Sequence, residues 1–192
     1  MKNESKQLGK YFLLNWTLAN AIGWLVGFIS AIILSYLVVN IFYQKETNLV
    51  LGLCIGVIVG YAQWFVLKRK FKISYLWILV STICMGIPFI VEVIMDESGY
   101  KITYFQGNYE FLGRLIFGLV VGLLIGLLQM QYLKPYFKRA ACWIVASSVG
   151  WGICWLASSI PMPLAILGII LGGVLLGLIT GYSIIRMSKS VD

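Results

Sequence analysis

The sequence predicts an all-α membrane protein: six transmembrane helices, arranged as three helical hairpins that share one orientation. Three observations carry this prediction. The composition is apolar with little charge, six apolar runs are each long enough to cross a bilayer, and one stretch of the chain recurs 66 residues later. The first excludes a soluble domain: 60% of residues are hydrophobic, 11% are charged and the mean hydropathy is +0.91, whereas soluble domains hold about 45–50% apolar and about 25% charged residues.

The six runs are 16–43, 48–67, 75–95, 111–133, 142–159 and 164–185. At about 1.5 Å per helical residue they match a hydrocarbon core of about 30 Å, so residues 1–192 read as a single integral membrane domain. The first run follows a basic N-terminus but is much longer than a signal-peptide core, so it reads as an uncleaved anchor. Lys and Arg resist translocation. With the N-terminus inside, twelve of the fifteen basic residues fall in inner segments, leaving only Lys45, Lys101 and Arg114 toward the outside. Both termini are therefore expected in the cytoplasm. This topology accounts for the formal charge of +8, so no nucleic-acid partner is expected. The inner rim is expected to attract anionic headgroups.

The repeat is visible when Gly52–Pro88 is laid on Gly118–Cys154 without a gap: fourteen of 37 positions are identical. GLCIGVIVGYAQWFVLK becomes GLVVGLLIGLLQMQYLK, and a tryptophan, Trp77 or Trp143, follows at the same distance. A fainter echo lays NWTLANAIGW, from Asn15, on CWIVASSVGW, from Cys142, with Trp16 over Trp143. In the last run Gly173, Gly177 and Gly181 keep the glycine spacing, with Ile184 where a glutamine would stand. Internal self-similarity of this kind points to duplication. The units are read as approximately 11–72, 73–138 and 139–192, each returning the chain to the cytoplasm, which makes them parallel repeats around an axis along the membrane normal.

Gly52, Gly56, Gly60, Gln63 and Leu67 fall on one helical face, as do Gly118, Gly122, Gly126, Gln129 and Leu133. No hydrophobic force drives helices together in lipid, so glycine ridges favour close backbone approach. Helix packing is the expected role of these glycines and of Gly173, Gly177 and Gly181; a pore lined by glycine carbonyls is the alternative. The glutamines need polar partners, for which Asn20, Ser81 and Ser147 stand at equivalent repeat positions on the odd-numbered helices. Gln63 and Gln129 are read as interhelical clasps near the inner surface, or else as part of a path for a polar solute or ion.

Two charges intrude into the spans. Glu92 and Arg114 lie at matching depth near the outer ends of the third and fourth helices, where an ion pair is geometrically available. Intramembrane charge is a functional signal by default, so with Gln63 and Gln129 they make up the candidate polar path. The connection 96–110 carries Tyr100, Tyr104, Phe105 and Tyr109, read as an interfacial segment or an aromatic lid. LKRKFK at 67–72 and LKPYFKRAACW at 133–143 read as interfacial anchors. Cys54, Cys84, Cys142 and Cys154 have no paired spacing and read as small apolar residues.

Catalysis is not expected. The chain has no histidine, which removes the commonest general base and metal ligand, and it carries no nucleophile-elbow, zinc-protease, phosphate-loop or paired-carboxylate motif. No cofactor and no metal site are expected.

The repeated GxxxGxxQ…LK at Gly56–Lys68 and Gly122–Lys134, each followed by a tryptophan-bearing helix, resembles uncharacterised bacterial multi-pass membrane proteins, which implies a bacterial inner-membrane location. A fainter likeness is to the substrate-binding S-components of energy-coupling-factor transporters. Those are similar in size, with six spans and a small-residue stripe on the first helix that docks the coupling subunit; here the stripe would be Ala19, Gly23 and Gly27. It departs from that family's AxxxA pattern, and internal duplication is not expected there. The expected function is a non-catalytic accessory, sensor or immunity subunit that packs on another membrane protein or on itself. The alternative is a small channel or transporter, S-component-like or otherwise.

Overall fold

The computed structural model describes residues 2–38, 44–98, 110–161 and 163–189. It is all-helical among these residues: α1 (Lys2–Val38), α2 (Gln44–Leu67), α3 (Leu76–Glu97), α4 (Glu110–Leu133), α5 (Cys142–Ala157) and α6 (Ala165–Ser188). Five of the helices are long and apolar enough to cross a membrane. The sixth, α5, is apolar but has 16 residues, about 24 Å of helix. It is shorter than the run that suggested it, because Ser158, Ser159 and Ile160 turn back onto Cys154, Leu156 and Ala157 through their backbone N–H groups, just ahead of Pro161. At the other extreme α1 begins at Lys2, well before the apolar run, since nothing in KNESKQLGKY breaks a helix outright. The aromatic segment with Tyr100, Tyr104, Phe105 and Tyr109 lies outside the described residues, as do Lys101 and residues 39–43.

The helices form a closed ring in which each packs on its two chain neighbours and α6 returns to α1. Neighbours run antiparallel, and the glycines decide how close they come. A methyl group added at Gly56 would lie 2.6 Å from Thr82 Cα and 2.8 Å from Ser81 O, and at Gly122 it would lie 2.5 Å from Ser147 O and 2.7 Å from Ser148 Cα. At Gly177 it would meet Thr17 Cα at 2.6 Å. Thus the ridge Gly52, Gly56, Gly60 on α2 lies against α3, the ridge Gly118, Gly122, Gly126 on α4 lies against α5, and Gly173, Gly177, Gly181 on α6 lie against α1. Each ridge faces the odd-numbered helix that follows it, with α6 wrapping round to the first. The glycine ridges therefore join α2–α3, α4–α5 and α6–α1, while α1 packs on α2 just as extensively through Gly23 and Gly27.

The outer surface is apolar. Leu18, Ile22, Val26 and Ile29 on α1, Leu79 and Ile83 on α3, Leu123 and Leu127 on α4 and Leu171 and Leu178 on α6 are all exposed. A girdle of this extent far exceeds the apolar patches of soluble monomers and fits a lipid environment. Antiparallel packing gathers the turns 68–75 and 134–141 and the end of α6 at one end of the ring. There Lys68 sits over the Trp64 ring at 3.9 Å and Arg69 over Phe65 at 4.3 Å, while Phe71 turns inward against Phe137 at 5.2 Å.

Candidate functional site

The ring has a filled centre made of three layers. Nearest the basic end, Trp16, Trp77 and Trp143 meet on the axis, with centroids 6.2 Å apart for Trp16–Trp143 and 5.7 Å for Trp77–Trp143. All three are buried, together with Phe12, Leu67, Leu133 and Phe137. At the opposite side lies a second aromatic cluster: Trp24 packs edge-on against Trp151 at 5.4 Å and Trp155 at 5.3 Å, and Phe117 bridges Trp155 and Phe89 at 4.8 and 5.2 Å.

Between them sits a buried polar layer of Asn20, Gln63, Ser81, Gln129, Ser147 and Thr180. A polar group here has no water to bond, so each needs a protein partner. Gln63 Nε2 donates to Asn20 Oδ1 on α1 at 2.9 Å, and Gln63 Oε1 accepts from Trp77 Nε1 on α3 at 3.2 Å. Gln129 Nε2 donates to Ser81 Oγ on α3 at 2.9 Å, and its Oε1 accepts from Trp143 Nε1 on α5 at 3.2 Å. One amide thus joins three successive helices in each case. Asn20 Nδ2 donates to Trp16 O and Ser81 Oγ to Trp77 O, at 2.8 and 2.9 Å, so the acceptor side chains are themselves pinned to the turn below.

The third position differs. With Ile184 in the glutamine's place, Trp16 Nε1 donates instead to Thr180 Oγ1 at 2.9 Å. Ser147 Oγ, the counterpart of Asn20 and Ser81, is buried without a hydrogen-bond partner. The orphan follows directly from the missing amide: the two glutamines donate to residues at this register, and isoleucine cannot.

Glu92 and Arg114 are held by separate partners. Glu92, half-buried on α3, accepts a long hydrogen bond from Asn48 Nδ2 at 3.5 Å, tying α3 to the start of α2. Arg114 reaches the backbone oxygen of Ser158 at 3.5 Å, tying α4 to the end of α5. Both lie at the end of the ring away from the basic turns, and neither is brought to Gln63 or Gln129. The glutamines occupy the centre, while Glu92 bonds across the α2–α3 seam and Arg114 across the α4–α5 seam.

Of the stripe Ala19, Gly23, Gly27, the two glycines pack within the chain, and Ala19 borders a groove between α1 and α2. A methyl at Gly23 would touch Ala62 Cβ at 3.2 Å and Val59 Cα at 3.3 Å, and one at Gly27 would touch Ile55 Cα at 3.2 Å. This face packs on α2, and a docking role like that of S-components would need it uncovered. The glycine ridges are likewise covered by neighbouring helices, so a partner would meet other surfaces.

Two partners in the layer, the tryptophan N–H groups and Thr180, were not anticipated from sequence. The signal for the first was there: Trp77 and Trp143 each follow their glutamine by 14 residues. No group of His, Cys, Asp and Glu that could hold a metal ion exists among the described residues. The four cysteines are free thiols, with Cys84 and Cys154 buried and Cys142 exposed.

No family model matches the chain, and comparison with curated proteins and with solved structures likewise gives no match.

Proposed function

We propose that this chain is a non-catalytic multi-pass protein of the bacterial inner membrane, with both termini in the cytoplasm. On this reading it is three parallel repeats that act as an accessory or sensor subunit through the lipid-facing surface rather than through a central path. The observation that supports it is the filled axis: two aromatic clusters close the ring on either side of a polar layer whose glutamines bond to side chains of the neighbouring helices. A transport site usually exposes intramembrane charge or unwound backbone to a water-filled cavity, whereas both glutamines are buried and bonded to side chains of neighbouring helices. The gathering of basic residues at one end supports the cytoplasmic placement of that end.

A second reading, a small transporter, draws on Glu92 and Arg114. They sit at the same end of α3 and α4, the two neighbours with the least extensive contact in the ring, and intramembrane charge is a functional signal by default.

The test is extraction in a mild detergent followed by native mass spectrometry, with solute and ion flux measured in proteoliposomes. A stoichiometric protein partner and no flux are expected. Flux abolished by Glu92→Gln in a folded protein would overturn the first reading in favour of the second.

A further inference from the structure

We infer that the groove between α5 and α6 is a binding site for one anionic phospholipid, with the phosphate on Arg139 and Arg186 and an acyl chain along Val145, Val149 and Ile179. The groove has a volume of about 500 Å³, and its walls include both arginines, Cys142, Ala146 and Ser183. Arg139 closes the turn before α5 and Arg186 lies in the last turn of α6, so the charges stand at the basic end, at headgroup depth for a spanning bundle, while the wall beyond them is apolar. A planar guanidinium binds phosphate through paired N–H donors, and basic groups near a membrane surface attract anionic headgroups. One amphiphile satisfies both halves of this groove: a phosphate at the mouth and a hydrocarbon chain within. A free phosphate would leave the apolar wall empty.

The chain contains its own comparison. A similar but smaller groove, about 320 Å³, lies between α1 and α2 and is lined by Ala19, Ile22, Ile58, Tyr61, Ala62 and Phe65. In the register that lays Trp16 on Trp143 and Gly60 on Gly181, these fall on Ala146, Val149, Ile179, Tyr182, Ser183 and Arg186. The apolar wall is thus common to both grooves, while Phe65 is exchanged for Arg186. Arg139 likewise stands where the other odd helices carry Phe12 and Ile73, both buried apolar residues. At the α3–α4 seam the residues corresponding to Cys142, Ala146 and Ser183 are Leu76, Val80 and Leu128, whose bulk would fill such a groove. Of these two grooves, only the α5–α6 one combines the apolar wall with two arginines. That seam is also the one without a glutamine clasp.

The experiment compares lipid retention by native mass spectrometry after the full chain is equilibrated with equal amounts of phosphatidylglycerol and phosphatidylcholine of the same chains. The wild type is expected to hold one phosphatidylglycerol with a preference on the order of tenfold. R139Q/R186Q should abolish the preference, and A146V/S183L, which fills the groove but keeps both arginines, should do the same. R69Q/K70Q removes equal charge at another turn and should leave it unchanged. Excess inorganic phosphate should not displace the lipid. Equal loss in R69Q/K70Q and R139Q/R186Q would reduce the effect to general surface charge. Retention by A146V/S183L, or displacement by inorganic phosphate, would remove the acyl chain from the site. Each outcome overturns the assignment while leaving the partner and flux measurements above unaffected.

Discussion

Gln129 Nε2 donates to Ser81 Oγ across 2.9 Å, a buried bond over the seam where α3 and α4 otherwise touch least. The same amide accepts from Trp143, so removing it would cost one interhelical bond at the weakest seam and strand an indole N–H. Interhelical hydrogen bonds in membranes average about 0.6 kcal/mol and reach about 1.7, and a stranded buried donor adds about 1–3 kcal/mol. Gln129→Leu is expected to lower unfolding stability in detergent by about 2 kcal/mol, measured by equilibrium denaturation. Gln63→Leu should cost a similar amount but leave the α3–α4 seam intact, so only Gln129→Leu should increase cross-linking between cysteines introduced on non-adjacent helices.

Ser147 gives the complementary case. Its hydroxyl is buried without a partner, so Ser147→Ala removes an unsatisfied polar group and should stabilise the protein, by up to about 1–3 kcal/mol. Ile184→Gln restores the amide found in the other two units. A double-mutant cycle should return a favourable coupling of about 0.6 kcal/mol between Gln at 184 and Ser147, lost when Ser147 is alanine. Zero coupling would mean that the third unit is not built on the register of the other two.

Glycine substitutions should rank by what lies opposite. Gly122→Ala places a methyl 2.5 Å from Ser147 O, a backbone atom that cannot step aside, whereas Gly9→Ala meets only Ile185 Cγ2 at 3.9 Å. The first should destabilise by about 1–3 kcal/mol or more through overpacking and the second should be neutral or slightly stabilising. Gly23→Ala, with its nearest contact at 3.2 Å, should fall between them. Thermal unfolding of the three purified variants checks the order.

Cys142 is exposed at the basic end, while Cys84 and Cys154 are buried in the aromatic core. A membrane-impermeant maleimide should label Cys142 in inverted vesicles and not in intact spheroplasts, and Cys84 and Cys154 should react only after denaturation. Labelling of Cys142 in spheroplasts would reverse the proposed orientation.

Much of this arrangement was legible in the sequence where a residue type ran against its surroundings. A glutamine in an apolar run must be bonded, and the repeat pointed to Asn20, Ser81 and Ser147 as residues of the right type on other helices, of which the first two accept from a glutamine and Ser147 does not. The glycine ridges marked close helix faces, but spacing alone carries no information on which neighbour is approached. That choice depends on closing the ring between α6 and α1, whose contacts join residues such as Trp16 and Thr180 at a separation of 164. Glu92 and Arg114 matched in depth, yet depth along a helix does not fix rotation about it, and they turn to Asn48 and the Ser158 carbonyl. Arg139 and Arg186 were unremarkable as sequence, because basic residues mark every cytoplasmic edge; only the groove beside them distinguishes these two.

The central claim is a ring closed to water at its polar layer. It is tested most directly by placing single cysteines at 81 and 147 in a background with the four native cysteines replaced, then probing the reconstituted protein from each side with small, charged thiosulfonate reagents. Ser81→Cys and Ser147→Cys should remain unmodified from both sides, with a cysteine retained at 142 alone reacting readily as the positive control. Modification of either buried position from either side would show an aqueous path reaching the glutamines, and the account of a closed, laterally acting bundle would give way to a transporter.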